Sequence, residues 1–418
     1  MENNLNNIKA HIVLVTSGQP TLNPRLVKEA DALVSAGYQV TVIYQHWNAW
    51  GTKYDTGLLA KKAWRCIRVG GATNEKRSVY LLSRIIHKAG NIVAKYFGFG
   101  LGAAELALGR CTILLYKEAL KHPADLYIAH NLAALPAVVK AAKKARAKCG
   151  FDMEDYHRNE VHDNPKEFDV RLKTYIEEKY IPLTNYLTAS SKHIAYNYQL
   201  IFPSKKIVPI LNVFPKNQHE QNIKTGSTLK LFWFSQSVGL NRGIEDVLRA
   251  LKLLEPAAIE FHILGQLTIP VKEALAQIIK TLEFLCQPAI FYHDPIHPDS
   301  LIQFASQFDI GLALETGFSI NNKMALSNKI FTYINAGLAI IATDTPAQKY
   351  LIDKYPLIGK LYKPDDHAAL SIIVRNYIDH PTLLKDTRQA AYQAGQAALN
   401  WETERSKFLA VVTNTLSN

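Results

Sequence analysis

Two rhythms of apolar residues alternate along this chain. Residues 11–15 (HIVLV) and 39–44 (QVTVIY) are short apolar runs of buried-strand length. Between them Leu26, Ala30, Leu33 and Val34 recur at helical spacing, from about residue 23 to 36, and Gly37 closes the run. Strand, turn, helix and strand in that order predict a parallel α/β sheet. The alternation continues with strands at 125–130 and 186–191 and a helix over 135–148. It thins between about 201 and 227, where Pro203, Pro209, Pro215 and the polar run KNQHEQNIKTGS read as a linker. A second alternation follows, with strands at 229–234, 259–264, 310–314 and 338–343. Its helices begin near Ile244, Val271, Asp299, Asn328 and Asp366, and residues 401–416 form a helical tail. The pattern predicts two doubly wound, Rossmann-like α/β domains facing across a cleft. They span residues 1–205 and 228–398, with a linker at 206–227 and a terminal helix over 399–418. A chain of 418 residues is long enough for two cores. Ligands of such sheets sit outside the carboxyl ends of strands, so chemistry is expected just after each strand.

Composition changes the picture in one place. With 48% apolar and 20% charged residues the chain reads as a soluble globular protein. Cys66, Cys111, Cys149 and Cys286 are scattered without a CxxC pair, and read as buried thiols in a reducing compartment. No basic segment followed by an apolar run opens the chain, so no signal peptide is expected, and no apolar stretch is long enough for a spanning helix. The net charge of +12 is concentrated: between residues 61 and 121, twelve lysines and arginines face three glutamates. Nucleic acid and an anionic membrane both fit a basic patch. The aliphatic and aromatic residues interleaved in SVYLLSRIIHKAGNIVAKYFGFGL (78–101) resemble a cationic amphipathic helix, which favours a membrane over nucleic acid. The plain alternative is a core helix with a solvated basic face.

Three stretches carry candidate chemistry. In SNKIFTYINAGLAIIATD (327–344), Ser327 stands as a helix N-cap and Asn328 and Lys329 occupy the first turn. A lysine there opposes the positive end of the helix dipole, unless an anion such as phosphate occupies the spot. In FSQSVGLNRGIED (234–246) a strand ends, a loop with Gly239 and Gly243 follows, and Arg242 precedes a helix, placed for a bidentate phosphate clamp. Two cationic helix mouths in one domain suit a diphosphate. No Asp-x-Asp pair and no His/Cys cluster at ligand spacing occurs, so no catalytic metal is expected, and a leaving diphosphate would be met by Arg242, Lys329 and backbone amides. In GFDMEDYHRNE (150–160) four acids and His157 crowd together, a pattern suited to acid/base or hydroxyl-binding work. A salt-bridged loop is the structural alternative.

The segment NNKMALSNKIFTYINAGLAIIATDTPAQ (321–348), the loop QSVGLNRGIED and the first-domain AHNLAALPA (129–137) together resemble a bacterial family 4 glycosyltransferase. That resemblance implies the GT-B fold, with a nucleotide-sugar donor on the C-terminal domain and an acceptor on the N-terminal one. It also implies retention of anomeric configuration, no metal, and a terminal helix that crosses back to the first domain. Under it Arg242 clamps the donor diphosphate, Ser327, Asn328 and Lys329 form the mouth at the donor phosphate and sugar, and Gly239 belongs to the same loop. Gly18 faces the transferred sugar, while His130, Asn131 and His157 fall on the acceptor side. Glu154 and Asp155 stand where the family has histidine and glutamate in an Asp-x-His-Glu loop, and are the candidate catalytic pair. Three departures stand out. Of two family glutamates with seven residues between them, the first should fall near Met324 and the second, which holds the donor ribose, at Thr332, and Gln236 replaces an arginine of many members. The nucleotide sugar is a substrate and no cofactor is implied. The implied acceptor is a glycan or lipid-linked glycan, and the implied location is the cytoplasm, against the inner face of the plasma membrane. A donor-degenerate GT-B binding protein and a nucleotide-sugar epimerase are the competing readings.

Overall fold

The computed structural model describes residues 9–217, 226 and 228–417. The first eight residues and most of the expected polar linker, at 218–225 and 227, lie outside the described residues. The chain divides into two units. One comprises Met1–Leu211, Ser319–Asn321 and Arg405–Asn418, and the other Asn212–Phe318 and Asn322–Glu404.

The first unit is built on β1 (His11–Thr16), β2 (Gln39–Gln45), β3 (Arg65–Val69), β4 (Leu126–His130), β5 (Lys148–Met153), β6 (Tyr186–Ala189) and β7 (Ile207–Pro209). Their spatial order is β3-β2-β1-β4-β5-β6-β7, every pair parallel. The central strands are apolar on both faces because helices cover both. Ile12, Val13, Leu14 and Val15 are fully buried, as are Leu126, Tyr127, Ile128 and Ala129. The second unit holds β8 (Leu229–Ser237), β9 (Ile259–Gln266), β10 (Ala289–His293), β11 (Ile310–Ala313), β12 (Ala339–Thr343) and β13 (Gly359–Tyr362), in the order β10-β9-β8-β11-β12-β13, again parallel. Gly311 is required where β11 passes under Tyr333, since a Cβ there would meet the ring at 2.2 Å.

Each sheet therefore reverses its winding once, between β1 and β4 in the first unit and between β8 and β11 in the second. Those two reversals are where a doubly wound sheet opens to a ligand.

Several elements differ from the sequence expectation. β3, β5, β10 and β13 are strands that no apolar run announces. β3 (RCIRV) is an edge strand whose charged residues reach solvent, and β10 is likewise an edge. β7 lies within the expected linker and ends in Pro209, a residue that an edge strand tolerates because no outer ladder bond is lost. The helix expected over 135–148 is Leu135–Ala145; Arg146 turns left-handed at φ 54° and the chain enters β5 at Lys148. The basic run of residues 143–148 hides that boundary in the sequence. The terminal helix Trp401–Ser417 begins in the second unit, where Trp401 N–H donates to the Phe214 carbonyl (2.8 Å). It ends in the first, where Arg405 donates to Ser35 Oγ (2.6 Å) and Thr413 bonds Tyr38 (3.2 Å). The expectation of four buried thiols is corrected: Cys111 and Cys149 are buried, but Cys66 on edge strand β3 and Cys286 in the turn before β10 are exposed.

Candidate active site

In the second unit β8 carries a register irregularity between Phe234 and Ser237, just before the glycine loop. Such a bulge re-aims the strand end and often marks a site. The loop then takes two left-handed residues, Asn241 (φ 59°) and Gly243 (φ 78°). Gly243 is needed for a second reason, because a Cβ there would lie 2.6 Å from that of Leu314. The helix Ile244–Leu254 starts directly after it, and Glu245 reaches back to accept from Asn241 N–H at 2.7 Å. Arg242 is exposed, and its guanidinium donates to Ser235 Oγ at 3.0 Å. Gln236 is also exposed and Gly239 is partly so.

The loop after β11 supplies Glu315, which organises the mouth of the helix Asn328–Ala336. It accepts from Ser327 Oγ (2.7 Å), Lys329 Nζ (2.8 Å) and Asn322 Nδ2 (3.1 Å). Burial alone would raise its carboxyl, but Lys329 and the two hydrogen bonds bring it down to about 2. Ser327 stands at the N-cap position, yet its hydroxyl goes to Glu315 and does not cap the helix. Lys329 is thus a countered charge, its ammonium 5.8 Å from the Trp233 ring. Asn328 is exposed and accepts from Asn212 (3.2 Å). Thr332 is buried, with its hydroxyl donating to the Asn328 carbonyl one turn back (3.3 Å).

In the first unit the ends of β1 and β4 are joined by Thr16, whose hydroxyl donates to Asn131 Oδ1 (2.6 Å) and accepts from Gly18 N–H (3.1 Å). Asn131 adopts φ 69°, which turns the chain away from the sheet. One residue earlier His130 is fully buried among carboxylates. Its Nε2 is 3.2 Å from Glu29, and its Nδ1 is 3.2 Å from Glu154 and 3.6 Å from Asp152. Burial opposes its charge, but Glu29, Glu154 and Asp152 hold the imidazolium, pushed up to about 10. Arg25 completes the cluster: it donates to both oxygens of Asp152 (2.5 and 2.7 Å) and to the Ile210 carbonyl (2.5 Å). Burial raises the Asp152 carboxyl, and Arg25 with His130 and Thr188 more than reverses that; Glu29 goes the other way, raised by burial and by Asp152. Glu29, His130 and Asp152 bring ligand-type atoms within 4.8 Å of one another, a grouping across three elements that sequence spacing does not reveal. The Arg25 guanidinium already spans the oxygens of Asp152, so this cluster carries its own cation.

Glu154 lies at the edge of this cluster, half-buried, accepting from Asn23 Nδ2 at 2.6 Å. Asp155 accepts from Asn321 Nδ2 (2.9 Å), and burial raises its carboxyl despite His157. His157 is buried, its ring against Phe151 at 5.8 Å and its Nδ1 3.8 Å from Glu160. The structure thus gathers Gly18, His130, Asn131 and Glu154 around the β1/β4 reversal, keeps the His130 and His157 rings inside, and places Ser327 and Lys329 on Glu315. Arg25 and Glu29 escape a motif-based reading. The signal for them is an i, i+4 charge pair beside Leu26 and Ala30 on the buried side of the helix Pro24–Ser35.

This architecture, two units each a parallel Rossmann-like sheet, is the GT-B class. No protein-family model matches the sequence and no curated protein matches it. Among solved structures, Anabaena HepE in complex with UDP-glucose superposes with a TM-score of 0.68 at 13% identity, covering 97% of this chain and 100% of that one. A glycosyltransferase from Rickettsia africae superposes at 0.66 with 15% identity, covering 98% and 100%. WaaG, a glycosyltransferase involved in lipopolysaccharide biosynthesis, gives 0.61 at 11% identity, covering 96% and 99%. The likeness is one of fold and spans both units.

Proposed function

We propose that this chain is a retaining, metal-independent glycosyltransferase of family 4 type. It moves a sugar from a nucleoside diphosphate sugar to a glycan or lipid-linked acceptor, and needs no cofactor. The observation that carries this reading is the second-unit loop, in which a bulged β8 delivers exposed Arg242 to a helix start beside the β8/β11 reversal. The HepE complex with UDP-glucose supports a nucleotide-sugar donor for this fold. In the proposed reaction Arg242, Lys329 and the amides of the loop receive the charge that develops on the leaving diphosphate. Glu315 keeps the Lys329 ammonium at the helix mouth. In the first unit Glu154 and Asp155 hold sugar hydroxyls, with Gly18 leaving room for the transferred sugar and Asn131 for the acceptor. The buried His130 acts through Glu154 as a positioning residue.

A cytoplasmic enzyme working on a lipid-linked acceptor needs a membrane contact. The helix Arg77–Phe97 supplies one, since its Ile85 (64%), Tyr96 (72%) and Phe97 (84%) stand exposed among Arg77, Arg84, Lys88 and Lys95. Among the described residues no helix is long and apolar enough to cross a membrane, so the proposed contact is peripheral. Sedimentation with anionic vesicles at low salt tests it, and absence of binding removes it.

One observation favours a second reading, a donor-degenerate binding protein: the Thr332 hydroxyl is spent on its own helix and Lys329 on Glu315. Titration with UDP, GDP, TDP and CMP decides between them, with Arg242→Ala and Lys329→Ala as controls. One nucleotide bound by the wild type and lost in both variants establishes the donor site. Binding of none gives the second reading the stronger claim.

A further inference from the structure

The first unit contains a pocket of about 860 Å³ that the donor chemistry leaves unused. Ser17 and Ala133, which follow β1 and β4, are among its lining residues, so it adjoins the sheet reversal where Gly18 turns. Its cationic wall is Arg84, Lys88 and Arg110, with His46 and His87 between them, and among the described residues no aspartate or glutamate lines it. Arg110 is held in place by uncharged groups. It donates to the carbonyls of Gly70 (2.8 Å) and His46 (2.9 Å) and to Ser83 Oγ (2.7 Å). Arg84 donates to the Tyr80 hydroxyl (3.3 Å), and the Tyr80 ring lies 5.6 Å from Arg84 and 4.9 Å from Arg110. The guanidiniums are thereby aimed without being neutralised. A concave wall with three positive side chains and no carboxylate concentrates an anion.

Apolar side chains of the helix Arg77–Phe97 interleave with Arg84 and Lys88, and they do not end at the pocket. Leu81 and Ile85 line it, and Ile92 and Tyr96 continue the same face of the helix at seven- and four-residue steps, all four exposed. An anion subsite thus opens onto an apolar stripe about as long as the helix.

We infer that this pocket receives the phosphate group of a lipid-phosphate acceptor, with the lipid chain lying along the stripe of Leu81, Ile85, Ile92 and Tyr96. The acceptor role rests on the glycosyltransferase reading; the binding itself does not. The neighbouring β1/β4 reversal then places the group attached to that phosphate beside Gly18 and Asn131.

The probes are farnesyl phosphate, farnesol and inorganic phosphate, each titrated below its aggregation limit against the full chain by equilibrium dialysis. Arg84→Glu and Lys88→Glu change exposed positions, and their melting curves report any loss of fold. Lys95→Glu reverses a charge on the same helix outside the pocket. The wild type binds farnesyl phosphate; each pocket variant weakens it by about tenfold or more, the scale of a lost charge-assisted contact, and Lys95→Glu does not. Farnesol binding as tightly as farnesyl phosphate, or unchanged binding by folded Arg84→Glu, overturns the phosphate subsite. Inorganic phosphate competing at the same affinity as farnesyl phosphate overturns the lipid and points to a soluble phosphate ester. UDP is titrated in parallel: UDP bound without farnesyl phosphate sinks this proposal alone, and the reverse sinks the transferase reading while the pocket stands.

Discussion

Replacing Glu315 by glutamine keeps the shape of the side chain and removes the charge that Lys329 is paired with. The carboxyl drops from an ordinary 4.5 to about 2 in the folded chain. Because the folded value is the depressed one, the stabilisation is complete well above pH 4.5 and is lost as the pH falls from there through 2. A fall of that size corresponds to about 3 kcal/mol at pH 7 and about 2 kcal/mol at pH 3.5, taking roughly 1.4 kcal/mol for each tenfold change in proton affinity. The group is mostly shielded, with 19% of its side chain and 18% of that of Lys329 exposed, so solvent screening reduces this only modestly. Calorimetry of wild type and Glu315→Gln at both pH values reads the difference. For a unit of this size the expected loss at pH 7 is about 6–12 °C in the transition of the second unit, with a smaller gap at pH 3.5. A shift under about 1 °C at pH 7, or an equal gap at both pH values, would show that the carboxylate does not hold the helix mouth in the manner described.

Other outcomes follow from the same geometry. Arg242→Ala removes an exposed side chain bonded to Ser235, so melting should be unchanged while transfer from the donor falls at least about a hundredfold, the scale of a lost oxyanion-type donor; near-normal turnover refutes the clamp. Asp152→Asn leaves Arg25 buried with its main carboxylate gone, and should cost the first unit about 3–5 kcal/mol in urea unfolding, with little effect on UDP binding. A thiol reagent should modify two cysteines of the folded chain, Cys66 and Cys286, and reach Cys111 and Cys149 only on unfolding; four fast thiols would contradict the buried pair.

Much of the fold is legible along the chain. Both α/β halves, the start of the helix at Ile244, the end of the first helix at Gly37 and the amphipathic helix within 78–101 follow from local pattern, because apolar period and glycine position act within one element. Of the strands that the pattern leaves unmarked, β3, β7, β10 and β13 are sheet edges, so their residues need not be apolar, whereas β5 is an interior strand hidden by the polar residues near its two ends, Lys148 and Asp152. The candidate site is legible only as residue types. That Ser327 would serve Glu315 and leave its helix uncapped, or that His130 would meet Glu29, depends on side chains brought together from separate loops.

The sequence alone therefore determined the class of each half, the places where the marked strands hand over to helices, and the basic amphipathic character of residues 78–101. Those are properties of neighbours in the chain, set by side-chain period and backbone preference. Only the tertiary structure decided which charges are spent and which are available. Lys329 is paired with a carboxylate fourteen residues back in the chain, the same one that takes the Ser327 hydroxyl. Arg25 is paired with Asp152 across 127 residues, and Arg84, Lys88 and Arg110 converge on one pocket with no acid among its lining residues. A charge acquires its role from what lies within a few ångströms of it, and folding sets those distances.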